Sequence, residues 1–303
     1  MNQETNLDNA LEAIKNGEFV LVFDDDDREG EVDMIIASEF VTPKSIATMR
    51  NDAGGLICNC LHSDYCDAIH LPFMVDIMKA ATEKYPELAE LAPNDIPYDE
   101  RSSFSVWANH RKSFTGVTDH DRAMTISEMA IMMKEERFDE FGATFRSPGH
   151  VCLLRGAQGL VKNRQGHTEI GLALCEMAGV TPVCVVCEMM DGETGQATSV
   201  ADARKYAEEN GLVLLKGEDI INKYLEEYHA IALGLKLVKH TNMTLDGFYK
   251  IWDTHSFQNL SLDAEVLVNY HDGKYNDINV YEFITDPEEM PTQQEINEAY
   301  NKL

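Results

Sequence analysis

Basic residues are scarce in this chain: 25 Lys and Arg stand against 53 Asp and Glu, a formal net charge of −28 over 303 residues. A polymer of that sign repels nucleic acid and anionic membrane surfaces at long range, so neither is expected as a partner. It repels an anionic small molecule as well, and a phosphate site must therefore be assembled from local cations and backbone N–H groups. Long apolar runs are missing too. No stretch approaches the roughly 18 residues that a membrane-spanning helix needs. Met1-Asn2-Gln3-Glu4 offers neither the basic nor the apolar part of a secretion signal. The chain reads as soluble and cytoplasmic. Cysteine is present but not organised: seven residues, an odd number, sit mostly in apolar runs. The close pair Cys184 and Cys187 has redox or zinc spacing, yet falls in Pro182-Val183-Cys184-Val185-Val186-Cys187. That is a strand pattern, and a strand sends residues three apart to opposite faces. No second such pair accompanies it, so reduced, buried thiols are the better reading.

What is present is a globular composition, 44% hydrophobic and 26% charged, able to bury a substantial core. A short helix is expected over 7–16 and a buried strand at Phe19–Phe23, followed by an acidic loop. Further strands are expected at 55–61, 104–110, 150–154, 182–188 and 213–215. Between them lie helical patterns at 43–50, from Thr125 to about Glu136, from the Arg164–Thr168 motif through Ala178, over 199–210 and over 218–228. Thr125-Ile126-Ser127-Glu128 has the spacing of a capping box, and Gly179 and Gly211 fit helix ends. Residues 72–100, rich in proline and charge, read as an excursion with one helix, a lid or an interface element. The alternation predicts an α+β domain over 1–228, a layered sandwich of helices around a mixed sheet. Residues 229–303 read as a C-terminal extension, with an apolar stretch and a β-hairpin turning at Asp272-Gly273.

Two polar motifs carry chemistry. Asp24-Asp25-Asp26-Asp27-Arg28-Glu29-Gly30-Glu31-Val32-Asp33 follows the first strand. In an extended segment the alternating Glu29, Glu31 and Asp33 would face one side, where their oxygens suit a hard cation; a solvated acidic turn is the plainer reading. Arg164-Gln165-Gly166-His167-Thr168-Glu169 opens a helix. Arg164 supplies a planar fork, Gly166 a close backbone, and the N–H groups around His167 and Thr168 a favourable dipole for an anion. An ordinary N-cap beside a surface histidine has the same letters. A metal held between Glu29 and His167 would suit an Mg²⁺-type site. His150 stands at a strand start, where a ligand or a structural role is open to it. Glu188 ends an apolar strand, as a proton carrier or an edge carboxylate. The loop Thr115–Arg122 closes over a ligand or merely connects.

Six of these segments occur in one order that resembles the 3,4-dihydroxy-2-butanone 4-phosphate synthases of riboflavin biosynthesis, in their archaeal single-function form. The segments are Asp27-Arg28-Glu29-Gly30-Glu31-Val32-Asp33, Asp52-Ala53-Gly54-Gly55-Leu56-Ile57-Cys58, Phe114-Thr115-Gly116-Val117-Thr118-Asp119, Arg146-Ser147-Pro148-Gly149-His150-Val151, Arg164 to Glu169, and Cys187-Glu188-Met189. They span about 1–228. The resemblance implies a lyase that converts D-ribulose 5-phosphate to formate and L-3,4-dihydroxy-2-butanone 4-phosphate. The steps implied are enolisation, dehydration, skeletal rearrangement and loss of C4. It implies Mg²⁺, two ions per site, with Mn²⁺ as a substitute, and Glu29 and His167 as ligands. Arg28, Glu29, Asp33, Thr115 and Glu188 would contact substrate, Arg164, Gln165, Gly166, His167 and Thr168 its phosphate. His150, Glu188, Asp33 and Glu31 would be catalytic. It further implies a homodimer with sites at the interface, His150 serving the neighbouring site. Gly30 and Val32 depart from the bacterial pattern and match the archaeal one. Nothing after 228 resembles the cyclohydrolase domain fused to many relatives, whose zinc-binding cysteines this tail lacks. Two rival readings stand beside it: a non-catalytic metal- and phosphosugar-binding regulator, and another Mg²⁺-dependent pentose-phosphate isomerase or lyase.

Overall fold

Strand β1 (Val20–Phe23) and strand β2 (Val32–Ala37) are buried along their whole length, as apolar runs covered on both faces must be. Helix α1 (Gln3–Lys15) precedes them, and α2 (Pro43–Thr48) follows, started by a reciprocal Thr42–Ser45 cap with Pro43 at its first position. Then come β3 (Cys58–Leu61), the short helices α3 (Ser63–Ala68), α4 (Met74–Ala81) and α5 (Glu87–Glu90), and β4 (Phe104–His110). Helix α6 (Asp119–Lys134), α7 (Phe141–Thr144), β5 (Phe145–Arg155) and α8 (His167–Met177) lead to β6 (Val183–Glu188), α9 (Val200–Asn210) and β7 (Val213–Lys216). The computed structural model describes residues 3–226 except Asn94 and Glu100, and one compact unit spans Met1–Tyr224.

The seven described strands form one sheet in the order β4-β5-β3-β6-β2-β1-β7. β1 and β2 pair antiparallel as a hairpin, β2 and β3 each pair antiparallel with β6, and β4 with β5; β3–β5 and β1–β7 run parallel. Helices cover both faces. α8 packs on β6, β2 and β3, and α1 lies beside it. A Cβ at Gly171 of α8 would come 2.7 Å from Cys184 Sγ, so the small residue lets this helix sit directly on the sheet. The other face holds the main apolar cluster, with Leu21, Met34, Ile36 and Val185 from the strands and Ile46, Ile126, Met129 and Ala203 from α2, α6 and α9. The expected α+β sandwich around a mixed sheet is what the chain adopts.

Local details differ from expectation. α6 begins at Asp119, six residues before the expected cap: Thr118 accepts a hydrogen bond from Asp121 N. Thr125 is buried inside the helix, where its hydroxyl donates to Asp121 O at 2.8 Å and accepts from His110 N at 2.9 Å. A threonine's spacing to a glutamate does not distinguish a cap from a hydroxyl bonded back to the preceding turn. The excursion at 72–100 carries two short helices, α4 and α5, rather than one. All seven cysteines are free and buried. Helical backbone continues over 217–226; the expected hairpin of the extension lies outside the described residues.

Candidate active site

The chemistry-bearing residues gather at one end of the sheet because the strand registers bring them into line. Val22 pairs with Asp33, and Asp33 with Glu188. Val186 pairs with Cys58, and Cys58 with Cys152; two residues further toward the same end stand Glu188 and His150. Directly paired residues share a face, so Asp33 and Glu188 project together toward α8. Glu188 Oε2 accepts from Leu56 N at 2.7 Å, and its carbonyl accepts from Gly55 N at 3.0 Å. Any Cβ at Gly55 would lie 2.5 Å from both Glu188 oxygens, which explains the glycine.

His167, first residue of α8, drops into this row. Its Nδ1 lies 3.3 Å from Glu29 Oε2 and 3.6 Å from Asp33 Oδ1, and its Nε2 lies 3.2 Å from Val22 O. Burial opposes a charge on His167, but Asp33, Glu29 and Asp24 carry its pKa up to about 9. Burial drives the Asp33 carboxyl up to about 7, with Glu188, Glu29 and Glu31 adding to the rise and His167 opposing it. Asp33 Oδ1 is buried without a hydrogen-bond donor. Burial would raise Glu29 as well, yet the His167 hydrogen bond and the Arg28 charge hold it below the ordinary value. Burial lifts Glu31, and Glu188 and Glu29 lift it further. Carboxyls driven apart in this way can share the work of accepting and returning protons.

Asp24, Glu29 and His167 each present a ligand atom, all within 4.8 Å of one another. Two carboxylates and an imidazole, with the donor-less Asp33 oxygen beside them, fit a divalent cation of the Mg²⁺ or Mn²⁺ kind. Asp24 is otherwise engaged: it accepts from the backbone N–H groups of Glu29 and Glu31, each at 3.1 Å, and from Arg28 at 3.2 Å. It therefore shapes the turn that delivers Glu29. That turn, not a strand alternation, is what brings Glu29 in, since the strand begins only at Val32.

Beside this cluster lies the start of α8, whose N-cap is Gly166. A Cβ there would collide with the Arg164 guanidinium and reach 2.7 Å from Arg28 Nη2. Both arginines thus close over the helix end, where N–H groups and dipole favour an anion. Arg164 is held by the buried Glu169 at 2.5 Å, and Glu169 also accepts from Ala157 N at 2.9 Å. Thr168 is buried at the same helix start, and Gln165 precedes it in the chain. His150, at the same end of the sheet on β5, and Thr115 are both joined to Asn109. His150 N donates to Asn109 Oδ1 at 2.8 Å, and Asn109 Nδ2 donates to Thr115 O at 3.3 Å. Two residues in the cluster escape a reading of the sequence: Asp24, one of four identical letters, and Asp99, which pairs with both arginines. Asp24 had a signal, being the first residue after a buried strand; Asp99 had none.

A mixed sheet covered on both faces, with a carboxylate–histidine cluster beside an arginine-lined helix start, defines an enzyme for cation-assisted proton chemistry on an anionic small molecule. Residues 8–223 match the family described as 3,4-dihydroxy-2-butanone 4-phosphate synthase. The chain belongs to that family. It is 53% identical over 220 residues to the 3,4-dihydroxy-2-butanone 4-phosphate synthase of Methanothermobacter thermautotrophicus, covering 73% of this chain and 96% of that one. The Archaeoglobus fulgidus synthase is 46% identical over 222 residues, covering 72% and 93%. Among solved structures, a 3,4-dihydroxy-2-butanone 4-phosphate synthase in complex with two magnesium ions is 32% identical with a TM-score of 0.57, covering 72% of this chain and 95% of that one.

Proposed function

We propose that the chain converts D-ribulose 5-phosphate to formate and L-3,4-dihydroxy-2-butanone 4-phosphate in the cytoplasm, using Mg²⁺, with residues 1–228 as the catalytic domain. The observation that carries this reading is the convergence of Glu29, Asp33 and His167 beside the two arginines over the start of α8. Glu29 and His167 would hold the cation, and Asp24 could offer a further oxygen. When bound, the cation supplies positive charge that stabilises the anion left when a proton departs next to the substrate carbonyl. Arg164, Gln165, Gly166 and Thr168 grip the phosphate through a guanidinium fork and helix-start N–H groups. Arg28, Glu29 and Asp33 orient the sugar hydroxyls. Asp33, held near neutrality in its proton affinity, takes the proton from C3. Glu31 and Glu188 return protons to the departing hydroxyl and to later anions. The low dielectric around buried Asp33 and His167 strengthens each of these contacts.

His150 and Thr115 complete the site from a second subunit. In support, Phe114, next to Thr115, is 94% exposed, and Val117 is 54% exposed, unusual for large apolar side chains unless another surface covers them. The formate-release assay tests the reading, run with D-ribulose 5-phosphate with and without Mg²⁺. Metal-dependent formate is expected, and Glu29→Gln and His167→Ala should each lower it by about 10²-fold or more, the scale of losing a proton-transfer or charge-stabilising group. A folded wild type that binds sugar phosphate but yields no formate would hand the assignment to a binding protein, and an isomerised sugar phosphate to an isomerase. For the dimer, Phe114→Asp should lower the mass seen by light scattering and the rate together.

A further inference from the structure

Arg164, assigned above to the substrate phosphate, and its neighbour Arg28 already hold an anion. Asp99 Oδ2 accepts from Arg28 Nη2 at 2.8 Å and from Arg164 Nε and Nη2 at 3.0 and 2.5 Å. Its carboxylate is only 14% exposed. Tyr98 beside it packs under Arg28, with the guanidinium carbon 5.4 Å from the ring centre. Asp99 belongs to a stretch between α5 and β4 in which the described residues form neither helix nor strand. The side-chain pairing to the arginines is what fixes its carboxylate there.

The guanidinium nitrogens that would hold a phosphate are already engaged. Arg28 and Arg164 face four carboxylates, Asp24, Glu29, Asp99 and Glu169. Asp24 and Glu29 are tied into the β1–β2 turn and Glu169 into α8, whereas Asp99 lies in the stretch between α5 and β4. A phosphate monoester brings a further −1.5 to −2 or so near pH 7. With Asp99 in place it meets guanidinium forks that are already taken.

We propose that Asp99 occupies the phosphate subsite in the unliganded enzyme and is displaced by the substrate's phosphate, so that it selects for a dianion. This rests on the reading that Arg164 binds phosphate, with Arg28 beside it. A doubly charged group with three acceptor oxygens outcompetes a single carboxylate for two guanidiniums; a neutral sugar does not. Apparent affinity is then the intrinsic affinity scaled by the fraction of time the subsite is open.

The test is calorimetric titration of inorganic phosphate into the Mg²⁺-loaded full chain at fixed ionic strength, for wild type, Asp99→Asn and Asp99→Ala, with KM and kcat for D-ribulose 5-phosphate alongside. Thermal melts establish that each variant folds, and the alanine variant carries the test if the asparagine variant does not. Tighter phosphate binding and a lower KM are expected in the variants, about tenfold if Asp99 closes the subsite nine-tenths of the time. Equal or weaker phosphate binding in the variants, with wild type binding, would overturn the displacement and make Asp99 a residue that merely orients the arginines. Phosphate binding to none of the proteins would overturn the phosphate assignment of Arg164, and the displacement with it.

Discussion

At the scale of single residues, the site is built by close approaches that leave no tolerance for added atoms. Gly55 is the sharpest case: Glu188 O and Oε2 would both sit 2.5 Å from a Cβ there. Gly55→Ala is expected to push Glu188 off the Leu56 N–H and out of line with Asp33. The expected outcome is a loss of about 1–3 kcal/mol in urea unfolding together with a fall in kcat larger than any change in KM. Asp33 invites the opposite experiment. Its carboxyl is buried and lacks a donor to Oδ1, so ionising it works against folding. The sign follows: with its folded pKa raised to about 7, Asp33 leaves stability intact below the ordinary value of 3.8 and erodes it as pH rises toward and through 7. Asp33→Asn should therefore abolish formate release yet melt at or above the wild-type temperature at pH 8, with the gap closing toward pH 4. A variant that melts lower at both pH values would show that Asp33 is needed for the fold.

At the scale of elements, helix α6 is tied to the sheet and to its neighbours by polar contacts at both ends. Near its start Thr125 satisfies His110 N at the end of β4. Thr125→Val keeps shape but strands that buried N–H, and a loss of about 1–3 kcal/mol in urea unfolding is expected. At its far end Lys134 meets Glu39 Oε2 at 2.6 Å, while Glu39 Oε1 accepts from Thr181 N at 3.0 Å. Burial would raise the Glu39 carboxyl, but these partners hold it below the ordinary 4.5. A depressed carboxyl contributes stability above its unfolded value and loses it as pH falls through the folded one. Glu39→Gln should then lower the melting temperature at pH 7 and converge on wild type by about pH 3; parallel curves would contradict the assignment. β1, α8 and β6 were legible from their apolar runs and from Gly166 and Gly179, whereas β2 and its pairing with β1 were not. The start of α6 was not, because Thr118 and Thr125 carry equivalent local signals and only His110, on another strand, decides between them.

For the molecule as a whole, a net charge of −28 means self-repulsion that salt relieves. Raising NaCl from about 0.01 to about 0.5 M shortens the screening length from about 30 Å to under 8 Å, and the melting temperature should rise across that range. The same titration should weaken phosphate binding, since the arginine contacts are screened too. The family match ends at residue 223, and the archaeal relatives are covered over almost their whole length. A chain ending at 228 is accordingly expected to release formate at the full-length rate. A drop in rate or in mass would assign residues 229–303 a part in assembly.

The sequence by itself determined the order and kind of most elements, and the residue types able to hold a cation and a phosphate. Those are local properties: apolar period, glycine placement, and carboxylates or arginines packed into short motifs. It also carried the family resemblance, because those motifs recur in one order. The tertiary structure decided which of them meet. Asp24, and not Asp25, Asp26 or Asp27, joins Glu29 and His167, because only the residue at the strand end stays buried as the chain turns. Asp33 and Glu188 share a face only through the β2–β6 register. Asp99 reaches Arg28 and Arg164 across 71 and 65 residues of sequence. Register and long-range ion pairs arise from contacts between distant segments, and no local pattern encodes them.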